Sequence, residues 1–119
     1  MARPAPYVVF IGANYMDHLA YAHRFPLPGE TVVGTGFVRT AGGKAANAAV
    51  ASRLLGAHTG MVGKVGRDVF GEEIRASFQA VGVDTRGLFV SETETTGVTL
   101  IFVRDTDGAN MLCVNQLAN

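Results

Sequence analysis

Gly42-Gly43-Lys44, with Asn47 one helical turn later, is the group of residues in this chain best suited to holding a small polar ligand. A glycine pair ahead of a helix lets the backbone pass close to a ligand. The amides of the first helical turn are free to point at that ligand. Lys44 adds a mobile ammonium donor, and Asn47 shares its face because residues three apart on a helix are neighbours. Amides, an ammonium and a carboxamide suit a polyhydroxy molecule as well as an anion. The same residues would equally make a plain glycine-rich turn with a solvated lysine, and spacing alone leaves both open. Asp17 falls a few residues past the carboxyl end of the first predicted strand, where open α/β sheets place their ligands. A carboxylate accepts two hydroxyl protons at once, which is a grip for a vicinal diol; a loop aspartate can also be a cap or a solvated charge.

A phosphate loop is a poorer reading of these glycines. A Walker A loop needs a glycine five residues before its last one and Ser or Thr after the lysine; Val38 and Ala45 stand there. Gly34-Thr35-Gly36 lacks the third glycine of a dinucleotide turn, since Arg39 occupies it, and Gly60, Gly63 and Gly66 sit in and after a strand. His18, His23 and His58 are too scattered for a metal-ligand set, and Cys113, the single cysteine, alternates with apolar neighbours as a packing residue would.

The elements that must position the candidates follow from composition and period. Tyr7 to Ile11 is a short apolar run closed by Gly12, which suits a strand covered on both faces. Asn14 to Pro28 has no clear period and carries Pro26 and Pro28, so it reads as mostly loop, with a turn at Pro28-Gly29. Thr31 to Arg39 reads as a bent strand. Ala45 to Leu55 is an alanine-rich helix ending at Gly56, and Thr59 to Val62 a second core strand. Asp68 caps a helix over 69–81, where Phe70, Ile74, Phe78 and Val81 share one buried face and Gly82 ends it. Leu88 to Val90, Val98 to Arg104 and Met111 to Asn115 are strands, the last two joined by the Asp105-Thr106-Asp107-Gly108 turn. The class is α/β with extra antiparallel strands.

The 119 residues are 48% hydrophobic and 17% charged, with ten basic and ten acidic side chains. That excludes a disordered tail, and nothing in the charge balance steers the chain to nucleic acid or anionic lipid. No apolar run approaches the roughly 20 residues of a membrane span. The first residues lack the features of a secretory signal, so a cytoplasmic setting is the expectation. The apolar content exceeds what a lone, well-covered domain of this length needs.

Taken in order, Pro28-Gly29-Glu30-Thr31, Ala41-Gly42-Gly43-Lys44-Ala45-Ala46-Asn47, Leu55-Gly56-Ala57, Val62 to Gly71 and Thr96-Gly97-Val98 resemble the ribokinase (PfkB-type) carbohydrate kinases over nearly the whole chain. Ala45 replaces the last glycine of the usual Gly-Gly-Lys-Gly-Ala-Asn string. The resemblance implies the N-terminal portion of a three-layer α/β/α sandwich with a small antiparallel β lid. Residues 1–28 and 41–87 would be core, and 30–40 with 88–115 the lid. It implies ATP-dependent phosphorylation of a sugar hydroxyl, most simply of ribose. Asp17, Gly42, Gly43, Lys44 and Asn47 would hold the sugar. Asn14 is carried over weakly, because the family's asparagine lies two residues before the aspartate and Tyr15 stands there. The lid would close over the sugar and pair with its counterpart in a homodimer. The family's catalytic base, its anion hole and most of the site for ATP and Mg2+ would lie beyond Asn119, so no catalytic residue is expected in this chain. Two readings therefore stand: the sugar-binding half of a kinase, or a non-catalytic sugar-binding or dimerisation module.

Overall fold

A computed structural model describes residues 7–119 and shows seven strands and two helices. The chain runs β1 (Tyr7–Ile11), β2 (Tyr15–Ala22), β3 (Gly36–Gly42), α1 (Lys44–Leu54), β4 (His58–Gly66), α2 (Val69–Val81), β5 (Asp84–Ser91), β6 (Gly97–Arg104) and β7 (Asn110–Asn115). The strands form two sheets, a parallel one in the order β1-β4-β5 and a four-stranded one in the order β3-β2-β6-β7.

Both helices lie on one face of the parallel sheet. Ala46 and Ala49 of α1, Ile74 and Phe78 of α2, Met61 and Val65 of β4 and Leu88 of β5 form its core, with Met16 of β2. Alanine lets α1 come close: a Cβ added at Gly12, just past β1, would stand 2.7 Å from that of Ala45. Helix α2 follows its sequence pattern. The Asp68 side chain accepts from the Gly71 amide at 2.9 Å, and Gly82 closes the helix with φ 82°. Gly56 likewise takes φ 96° after α1, and Gly108 φ 76° in the β6–β7 turn.

Three expectations need correction. Tyr15 to Ala22, read as loop within the core, is strand β2 at the centre of the four-stranded sheet, pairing with β3 on one side and β6 on the other. Leu88 to Val90, assigned to the lid, belongs to β5, which pairs parallel with β4. It reads as polar at its start because Asp84 and Arg86 sit on an edge strand whose outer side faces water. The bent strand read over Thr31 to Arg39 is strand only from Gly36, and it runs on to Gly42. The four-stranded sheet is antiparallel at β2–β3 and β6–β7 and parallel at β2–β6. Both central strands leave the seam between the sheets at the same level, Tyr15 opposite Gly97, so both must run outward together.

Candidate functional site

The seam is where the candidates meet. After β1 the chain crosses at Gly12-Ala13-Asn14, its Gly12 amide donating to the Val62 carbonyl at 3.1 Å, and enters β2. Strand β3 returns beside β2 and ends at Gly42, opposite Tyr15. Gly43 then takes φ 112° as the N-cap of α1. Glycine is required there twice over. A Cβ would overlap the Ala13 carbonyl oxygen, and an L-residue strains at that φ.

Asp17 and Gly42 lie on the same face of the sheet, two residues apart in register, and the carboxylate folds down over the glycine: a Cβ at Gly42 would overlap Asp17 Oδ2 and sit 2.8 Å from its Cγ. The carboxylate is half-buried. Desolvation pushes its pKa up from the ordinary value, opposed by the Thr99 hydroxyl and by nearby His18. Thr99 is 4% exposed and stands opposite Asp17 on β6. Asn14 is wholly buried; its Nδ2 donates to the Gly12 carbonyl at 3.3 Å, and its Oδ1 has no partner.

Lys44 and Asn47 come next, on the first turn of α1. Lys44 is exposed, and among the described residues its ammonium has no ion pair. No side chain caps α1, so its leading amides stay available to a ligand. Asn47 is exposed and borders a groove of about 380 Å3 between α1 and α2, shared with Thr40 and Ser77. Asn14, Asp17, Gly42 and Gly43 thus form one cluster with Lys44 directly after it, while Asn47 lies at its edge toward the groove. A second hollow, of about 410 Å3, opens beside the seam between Gly12, Gly63, Lys64 and Asn119.

The chemistry the cluster offers is hydrogen bonding: a carboxylate acceptor over Gly42, the uncapped backbone amides of α1 and the exposed Lys44 ammonium beside them. Two contributors were not foreseen. Thr99 sits 82 positions from Asp17 and only the sheet register brings it there. Asn119 bonds the backbone of Asn14 from 105 positions away. No local pattern could have found either.

The sequence profile of the pfkB family carbohydrate kinases matches residues 5–119. The chain belongs to that family. Among similar curated proteins, the ribokinase of Bacillus subtilis (strain 168) is 39% identical over 113 residues, covering 94% of this chain and 38% of the relative. The deoxyribokinase of Salmonella typhi is 31% identical over 112 residues, covering 94% of this chain and 36% of its own. A solved structure of Arabidopsis thaliana ribokinase complexed with ribose and ATP superposes with a TM-score of 0.82 at 29% identity, over 98% of this chain and 38% of the other. This pfkB-family chain therefore spans little more than a third of its relatives' length. Among the described residues, no three His, Cys, Asp or Glu side chains gather around a common point.

Proposed function

We propose that this chain is the sugar-binding and lid part of an ATP-dependent kinase that phosphorylates a pentose, ribose before 2-deoxyribose. The observation that carries the reading is the Asp17 carboxylate folded over Gly42 at the open start of α1. A pentose lying there would donate two adjacent hydroxyls to the carboxylate and accept from the α1 amides and the Lys44 ammonium. Charge-assisted bonds of this kind are the strong ones, and they fix which hydroxyl is presented. ATP with Mg2+ would supply the transferring phosphoryl and the charge neutralisation it needs. The residues that hold them, and the base that takes the hydroxyl proton, would lie in the remainder of the protein. The names of the relatives support the pentose; the Salmonella deoxyribokinase keeps 2-deoxyribose in the comparison.

The lid would also carry a homodimer contact. Its sheet exposes Phe37, Leu100 and Met111 on one face and Leu112 and Val114 on the other, more apolar side chain than a free sheet keeps in water. A cytoplasmic setting belongs to the same proposal.

The test is calorimetric binding of ribose and of 2-deoxyribose to the whole protein. Asp17→Ala should weaken the preferred sugar by about 2–4 kcal/mol, and Lys44→Ala should weaken sugar but not nucleotide. Unchanged ribose affinity in Asp17→Ala removes this site from sugar recognition. Turnover of ATP and ribose by the 119 residues alone would show that a base is present in them after all.

A further inference from the structure

Resting on the sugar-site reading above, we infer that Asn119 is a positioning residue: its carboxamide pins the crossing between the two sheets and so holds Asp17 over Gly42. One side chain makes three bonds there. Its Oδ1 accepts from the Asn14 amide at 2.7 Å, and its Nδ2 donates to the Asn14 carbonyl at 2.8 Å and to the Gln116 carbonyl at 3.1 Å. The first two bonds satisfy both backbone groups of Asn14, as a neighbouring strand would, at the point where the chain leaves the parallel sheet for the lid.

The surroundings are shaped to admit this carboxamide. A Cβ at Gly97, the first residue of β6, would overlap Asn119 Nδ2 and stand 2.8 Å from the Tyr15 ring. Leu117 takes φ 49°, a left-handed conformation unfavourable for a leucine, in the turn that delivers Asn119. The Ala118 amide anchors that turn on the Thr95 carbonyl at 3.0 Å. The carboxamide therefore touches the first residue before β2 and the first residue of β6. These are the two strands whose pairing sets Asp17 opposite Thr99. Asn119 is itself exposed, so shortening it opens no core cavity.

The experiment is a double-mutant cycle on the whole protein, with Asp17→Ala, Asn119→Ala and both together, reading ribose dissociation constants by calorimetry and folding by circular dichroism. With two bonds to Asn14 lost, Asn119→Ala should weaken ribose about tenfold and add less than twofold once Asp17 is already alanine. Asn119→Gln, which keeps both the donor and the acceptor but moves them out by one methylene, replaces it if the alanine variant does not hold its fold. Equal losses in both backgrounds, or no loss at all, overturn the positioning role. An Asp17→Ala variant with wild-type ribose affinity overturns the site reading itself, a different result in the same cycle.

Discussion

Gly42→Ala separates binding from folding more sharply than any other single change at this site. The added methyl would overlap Asp17 Oδ2 and lie 2.8 Å from its Cγ, so the carboxylate must swing away. Moving a side chain off its preferred rotamer costs about 0.5–1.5 kcal/mol. Gly42 is not among the positive-φ glycines, so alanine fits its backbone without strain. Restricting the unfolded chain then returns about 0.4–1 kcal/mol. The two nearly cancel, and the melting temperature should move by less than about 4 °C. Binding has no such offset. With the carboxylate displaced, the hydroxyl bonds are lost as fully as in Asp17→Ala, about 2–4 kcal/mol or roughly 30- to 700-fold in ribose affinity. Gly43→Ala is the contrasting control. There the methyl meets the Ala13 carbonyl oxygen, part of the backbone, at φ 112°, and the fold itself should weaken by about 1–3 kcal/mol. Calorimetry with ribose beside thermal melting reads both quantities. Near-wild-type ribose affinity in a folded Gly42→Ala protein would refute the argument that Asp17 must occupy its place over Gly42.

Two further outcomes concern stability. Asp68→Ala removes acceptors for the Gly71 amide at 2.9 Å, the Thr96 amide at 2.8 Å and the Thr96 hydroxyl at 2.6 Å, and should lower unfolding free energy in urea by about 2–3 kcal/mol, with Asp68→Asn recovering part of it. Glu30 is held down to about 2 from 4.5 by the Arg24 guanidinium first and the Leu27 amide second. A depressed carboxylate stabilises the fold above its unfolded pKa and loses that contribution as pH falls through the folded one. The urea midpoint should therefore drop between about pH 4.5 and pH 2, and Glu30→Gln should flatten that limb; an unchanged pH profile in the variant would count against the pair.

Helix α2 was legible in full, because everything that defines it is local: a capping aspartate, a four-four-three apolar spacing and a terminal glycine. Helix α1 was legible from a different local signal, its run of alanines closed by Gly56. Strand β2 was not. Its residues are mostly half-buried on both faces, with Tyr15, Leu19 and Tyr21 on one side and Met16 and Ala20 on the other. The polar–apolar alternation that marks a half-buried strand is therefore missing. Strand β5 was placed in the wrong sheet because sequence order does not reveal which strand a new one pairs with; that is decided by α2, which carries the chain back beside β4. The site divided along the same line. Gly42, Gly43, Lys44 and Asn47 are close in sequence, so their spacing brings them forward as candidates while leaving a plain glycine-rich turn open. Thr99 and Asn119 reach Asp17 and Asn14 only through pairings that span most of the chain.

Part of the apolar surplus lies on a sheet face that the described residues leave uncovered. In β1, Val8 and Phe10 turn toward the helices while Tyr7, Val9 and Ile11 turn away, and those three remain 58%, 48% and 77% exposed. A parallel sheet is stable in water when helices cover both faces, and the described residues cover one. The Cα radius of gyration carries the same message: 16.7 Å, against about 13.5 Å for a compact domain of this length. Relatives nearly three times as long have ample chain for the second helical layer. The two sheets of this chain touch mainly through α2 and the seam, so those two contacts fix the angle between them. At the seam the exit of β1, the end of β3 and the start of α1 meet, and there the candidate residues Asn14, Asp17, Gly42 and Gly43 gather.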